Sequence, residues 1–232
     1  MSRRRQGFGA APAVEKAGGR GFALVCDIRD EAQVADAVER TAAHSDGVDI
    51  CVNNASAIQL SGTAATDVKR YDLMTGVNSR GMFVVTQACL PHLLKSERAH
   101  ILTLSPPLDF NQAWFKGRPA CSLAKYGMTI LTLGWAAEFA GEIAASCLWS
   151  RTAIDTAAVR NIPGGEAMAA ASRKPEIMAG AALAILSKQL DFTGWRRLDD
   201  LALAAEGVAD FDRYAVTPGA RRPVGARLLL PA

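Results

Sequence analysis

The chain has 232 residues, 50% hydrophobic and 21% charged, which suffices for the core of one domain or at most two small ones and excludes a disordered polypeptide. Its 26 Lys and Arg against 23 Asp and Glu leave a formal charge of +3, and only Arg3-Arg4-Arg5 and Arg196-Arg197 cluster, so no nucleic-acid partner is expected. No apolar run reaches the ~18 residues of a membrane span and no apolar segment follows the N-terminal arginines, so neither a membrane nor a secretory signal is expected. The five cysteines (Cys26, Cys51, Cys89, Cys121 and Cys147) are isolated, odd in number and without zinc-ligand spacing, which points to a reducing, cytoplasmic location and to no metal site.

From Phe22 onward, short apolar runs alternate with longer helical patterns, the signature of a parallel sheet covered by helices, so the fold class is α/β. Ala13 to Ala17 reads as the last turns of a helix running into Gly18-Gly19. Phe22 to Cys26 reads as a strand ending at Asp27, and Glu31 to Ala43 as a helix with Val34, Ala37, Val38 and Thr41 at helical spacing. Val48 to Val52 is a second strand, ending at Asn53-Asn54. Asp67 to Thr75 and Ser79 to Leu94 are predicted helices, the latter with Met82, Val85, Thr86, Cys89 and Leu93 on one side and with Pro91 kinking its last turns. His100 to Leu104 is a buried strand stopped by Pro106-Pro107. A loop carrying Phe110, Trp114 and Phe115 leads to a helix from Ala120 to Phe139. These aromatics either line a substrate pocket or pack the loop down. The strand Ile143 to Trp149 is followed by an irregular stretch, Ser150 to Ser172, long enough to serve as a lid or binding segment. A helix from Pro175 to Lys188 and a strand near Phe192 to Leu198 complete a single domain over residues 1–219, and residues 220–232 read as a frayed tail.

A doubly wound dinucleotide fold begins with a strand, a glycine-rich turn and a helix whose N-terminus holds the pyrophosphate. Gly7-Phe8-Gly9 does not match G-x-G-x-x-G and has no strand before it, so it reads as polar terminus rather than phosphate loop. In the strand order 3-2-1-4-5-6 two strands separate the third from the fourth. If Phe22 to Cys26 is the third, the first strand, the glycine-rich turn and the second strand are lacking. The strand Val48 to Val52 must then shift inward, pair with another chain, or expose an apolar edge.

Asp27-Ile28-Arg29-Asp30, Val52-Asn53-Asn54-Ala55-Ser56, Val77-Asn78-Ser79-Arg80-Gly81, Ser105-Pro106-Pro107 and Ala124-Lys125-Tyr126-Gly127-Met128, in this order, resemble the short-chain dehydrogenase/reductase superfamily. The resemblance runs from about Val14 to Gly219. It implies a Rossmann-like doubly wound sheet, NAD or NADP as cofactor, a small-molecule carbonyl or alcohol as substrate, and hydride transfer between them with a tyrosine as general acid/base. It also implies a homo-oligomer, assembled through the helices at Ser79 to Leu94 and Ala120 to Phe139.

By the same resemblance Asp27, with Ile28 beside it, meets the adenine end of the cofactor; by itself Asp27 reads equally as a turn or helix-capping residue. Asn53, Asn54 and Ala55 correspond to the segment that lines the adenosine ribose, although paired amides at a strand end also brace neighbouring backbone. Asn78 resembles the asparagine of the proton relay, and Lys125 the lysine that grips the nicotinamide ribose and lowers the acid/base pKa. Thr152 keeps the hydroxyl expected near the carboxamide, while Ser150 replaces a proline before it. Ser105 is at the first of two places where the family carries serine, the second being taken by Pro106.

The family's Tyr-x-x-x-Lys reads here Cys121-Ser122-Leu123-Ala124-Lys125. Cys121 therefore stands where the tyrosine is expected, one helical turn before Lys125. Tyr126 projects ~100° away around the helix and does not replace it. A thiol beside a lysine ionises more readily than a phenol but is shorter by a ring; together with the lacking glycine-rich turn this makes absent or residual dehydrogenase activity the expectation. The alternative is a non-catalytic oligomer subunit or interaction module.

Overall fold

The computed structural model describes residues 10–161 and 164–219. The elements in chain order are α1 (Ala10–Lys16), α2 (Glu31–Ser45), β1 (Ile50–Asn53), α3 (Val68–Thr75), a π-helical segment (Gly76–Gly81), α4 (Met82–Leu93), β2 (His100–Leu104), α5 (Pro119–Glu138), β3 (Ala144–Trp149), α6 (Ala157–Arg160), α7 (Gly165–Ala170), α8 (Glu176–Leu186), β4 (Arg196–Leu198) and α9 (Asp199–Ala205). Among the described residues one sheet forms, with the order β1-β2-β3-β4 and every neighbouring pair parallel. The α/β expectation holds. Gly7-Phe8-Gly9 and the tail at 220–232 lie outside the described residues.

Local chemistry explains the boundaries. Asp30 caps α2 by accepting from the Gln33 backbone N–H at 3.1 Å, and Asp67 caps α3 by accepting from that of Arg70 at 2.7 Å. Pro119 opens α5, where the missing N–H costs nothing. The strands alternate with period two. Cys51, Ile101 and Ala145 face Val34 and Val38 of α2, Met82, Cys89 and Leu93 of α4, and Met128 and Trp135 of α5. Leu102 and Leu148 face the other way, against Ile177, Ala181 and Ile185 of α8 and Ala202 and Leu203 of α9. The result is a three-layer sandwich whose central strands are covered on both faces.

Four sequence expectations are corrected. Phe22 to Cys26 is not a strand. It runs beside α2, with Phe22 stacked on His44 at 4.3 Å between ring centroids, Cys26 against the core and Val25 turned outward. A lone apolar run without a neighbouring strand has no ladder to join. Among the described residues β1 is accordingly an edge strand of the isolated chain, with Ile50 and Val52 exposed. The two helices expected around Asn78 are joined by the π-helical segment, because the backbone at Gly76–Gly81 takes one wider turn and continues. The stretch from Ser150 to Ser172 contains α6 and α7, and the last strand is confined to Arg196–Leu198, followed by α9, which the apolar pattern did not separate. All five cysteines are free thiols.

Candidate active site

In an open parallel sheet, ligands bind beyond the carboxyl ends of the strands. Here β1 ends at Asn53, β2 at Leu104 and β3 at Trp149. The first turns of α5 run across the last two of these ends. Lys125, 7% exposed, sends its ammonium Nζ to 3.5 Å from the Leu104 carbonyl oxygen and to 5.4 Å from the centre of the Trp149 ring. It forms no ion pair with a carboxylate among the described residues, and burial pushes its pKa down to about 8.

Cys121 lies one turn before Lys125 on the same helix face, 2% exposed. Burial raises the thiol pKa, and the opposing pull of Lys125 is the smaller effect. The thiol therefore keeps its proton at neutral pH rather than ionising beside the lysine. Both residues line one small cavity with Pro106, Pro107, Trp114 and Trp149. Pro106 and Pro107, soon after β2, make one of its walls apolar.

The π-helical segment brings Asn78 beneath this region, fully buried. Its Nδ2 donates to the Ala57 carbonyl at 2.8 Å and its Oδ1 accepts from the Ala57 N–H at 3.0 Å, so both ends of the amide clamp the loop that leaves β1. Close approach of α5 to this segment depends on Gly127, where a Cβ would come to 3.1 Å from Ser79 Cβ.

Ser105 is buried on the sheet side of α5. Its Oγ accepts from Thr129 Oγ1 at 2.9 Å, in a hydroxyl cluster that also includes Thr132 bonded to Thr103 at 2.8 Å. Asn53 is held in the interior, donating from Nδ2 to Thr86 Oγ1 at 3.0 Å, whereas Asn54 and Ala55 are exposed at the strand end. Thr152 is buried and donates to the Ala153 carbonyl at 3.2 Å. Asp27 is bound by the Arg29 guanidinium, which holds its carboxyl down at about 2, and the half-buried Ile28 packs its side chain against the core beside Gly81, at the start of α4. The structure thus gathers Cys121 and Lys125 in the cavity, with Asn78 supporting the neighbouring loop. It sets Asp27 and Ile28 at the outer end of the sheet and keeps the hydroxyl of Ser105 engaged within the interior.

Tyr126 is accounted for separately. Its hydroxyl donates to the Asp109 carbonyl at 2.8 Å, and Phe110 and Phe115 meet its ring edge-on at 6.2 and 5.5 Å. Two of the three loop aromatics therefore pin the 108–118 loop, and Trp114 alone of them lines the cavity. The wall formed by Trp149 was not singled out from the sequence; its place at the end of a buried strand was the available signal.

The fold is a parallel α/β sandwich with a buried lysine beyond the carboxyl ends of its strands, and comparison with known proteins gives the class. A family model described as enoyl-(acyl carrier protein) reductase matches residues 3–188. The chain belongs to the short-chain dehydrogenase/reductase family. It is 50% identical over 212 residues to hydroxysteroid dehydrogenase-like protein 2 of Danio rerio, and 47% identical over 212 residues to that of Homo sapiens. These alignments cover 91% of this chain and 51% and 50% of the relatives, so the chain spans about half the length of those proteins. A putative dehydrogenase from Xanthomonas campestris is 52% identical with a TM-score of 0.87, covering 91% of this chain and 78% of that one. A short chain dehydrogenase from Mycobacterium thermoresistibile is 44% identical with a TM-score of 0.88, covering 94% and 78%.

Proposed function

We propose that the chain is an oxidoreductase of the short-chain dehydrogenase/reductase type that binds NAD or NADP and works on a small-molecule carbonyl or alcohol, with proton transfer weakened by Cys121. The observation that carries this reading is the pairing of Cys121 and Lys125, one turn apart, in a cavity at the carboxyl end of the strands.

The residues fit a nicotinamide dinucleotide at one decisive place. Lys125 Nζ is nine-tenths buried, has no carboxylate partner among the described residues, and would find acceptors in the hydroxyl pair of a ribose. In this reading Asp27 and Ile28 take the adenine end, Asn53, Asn54 and Ala55 the adenosine ribose, and Thr152 the carboxamide. Bound there, the cofactor supplies or accepts a hydride. Asp27 first shares its carboxylate with Arg29, so adenine recognition would compete with an existing ion pair. Asn78 positions the loop at Ala57, and Ser105 would have to leave Thr129 to reach a carbonyl oxygen.

Cys121 retains its proton, but an Sγ on Cβ is shorter than a phenol by the whole ring. Loss of a positioned acid costs about 10²- to 10⁴-fold in rate. A second reading, an oligomer subunit with little turnover, draws on Phe83 of α4 and Leu123 and Ile130 of α5, large apolar side chains left exposed.

The test is a titration of purified chain with NADH and NADPH, following nicotinamide fluorescence. Saturable binding is expected. A folded protein that binds neither contradicts the reading.

A further inference from the structure

The cavity is lined by two residues whose polar atoms nucleotide binding does not use together. One is the Lys125 amine, buried, facing apolar walls and, among the described residues, bonded only to a carbonyl at 3.5 Å and to Met128 Sδ at 3.8 Å. The other is Trp114, 6% exposed, whose indole Nε1–H is buried with no acceptor among the described residues. A buried donor without a partner carries its full desolvation cost, so an acceptor in the cavity would be favoured. The space is about 30 Å³, room for roughly two waters or a ligand of a few heavy atoms.

The geometry points to a second chemistry at this site: capture of a small aldehyde by Lys125 as an imine, with the Trp114 N–H holding the carbonyl oxygen. The ligand class follows from the walls. Pro106, Pro107 and Trp149 offer apolar surface, one donor serves one acceptor, and the amine requires an electrophilic carbon. The free-base Nζ lone pair forms the C–N bond while the carbonyl π pair moves onto oxygen. The two protons that the oxygen needs to leave as water come from the attacking nitrogen. The sum is amine plus aldehyde to imine plus water, with no oxidant or reductant.

Desolvated lysines are the usual source of such nucleophiles. With a pKa of about 8 against the ordinary 10.5, Lys125 holds on the order of 10²-fold more free amine at neutral pH than a solvated lysine. This reading goes beyond hydride transfer and does not require the nicotinamide cofactor.

The experiment treats the full chain, without nucleotide, with acetaldehyde at pH 7.5, traps imines with cyanoborohydride, and maps N-ethylated lysines by peptide mass spectrometry. Lys125 is expected to be modified at least about tenfold faster than the exposed lysines. Denaturing the chain in urea first should erase that preference, which serves as the internal control for folding. Trp114→Phe, which keeps the wall and removes the donor, should slow labelling of Lys125 several-fold while other lysines are unchanged. Labelling spread over exposed lysines with Lys125 spared in the folded chain would overturn the proposal. An unchanged rate in Trp114→Phe would overturn the role of the indole. Because no nucleotide is present, failure here is distinguishable from failure of the NADH and NADPH titration.

Discussion

Lys125 connects the chemistry of the site with the stability of the fold. Its depressed pKa means that, between about pH 8 and the unfolded value of 10.5, the unfolded chain binds a proton that the folded chain does not. Stability contributed by this residue therefore rises with pH across that window, because protons favour the unfolded state there. Relative to Lys125→Met, the wild type should gain about 1 kcal/mol between pH 7.5 and 9, measured by urea unfolding at each pH. The Lys125→Met reference is needed because the buried thiols of Cys121 and Cys147, whose pKa values burial raises, act in the opposite direction above pH 9 in both proteins. A difference that stays flat would show that Lys125 is solvated. At this scale the sequence was informative for Cys121 and Lys125, since i, i+4 spacing on a helix fixes a shared face. It was less informative for Ser105, whose hydroxyl direction depends on Thr129, 24 residues away.

At the scale of elements, the segment after β3 is tied down by charge. Asp199, fully buried at the start of α9, accepts from the Arg151 and Asp200 backbone N–H groups at 3.0 and 2.8 Å. Arg173, 10% exposed, approaches Asp199 at 3.7 Å and Asp200 at 3.5 Å and stacks over Phe211, while Arg151 also pairs with Asp200. This cluster fixes both ends of the 151–173 stretch to α9. Removing one partner of a buried ion pair leaves an uncompensated charge, so Arg173→Leu should cost about 3–5 kcal/mol in chemical denaturation. A loss below about 1 kcal/mol would mean that the cluster is solvated. None of this was legible beforehand, because periodicity locates elements but does not say which distant charges meet. What periodicity did read was α2, α5, β2 and β3, long or fully buried segments whose patterns are unambiguous. It misread Phe22 to Cys26, where a strand-like run lacks the neighbouring strand that would make it one.

The whole molecule has an asymmetric sheet. α8 and α9 cover the face of β2 and β3 that carries Leu102 and Leu148, but on β1 the residues of that face, Ile50 and Val52, are 41% and 50% exposed. An apolar edge strand of this kind invites pairing with other chains. Val52→Lys should reduce concentration-dependent light scattering several-fold with little change in thermal midpoint; equal scattering would mean that association uses another surface. The family and the order of its motifs were readable along the whole chain, whereas the state of this edge required the sheet itself.

We propose that residue 121 limits hydride transfer in a site that keeps Lys125 one helical turn away. The most direct measurement is the rate of NADH or NADPH oxidation by the wild type and by Cys121→Tyr, with one small carbonyl substrate and with cofactor held at saturation. Little or no turnover is expected of the wild type, and a gain of about 10² or more in the variant. Equal rates for the two proteins, with both binding cofactor, would contradict it.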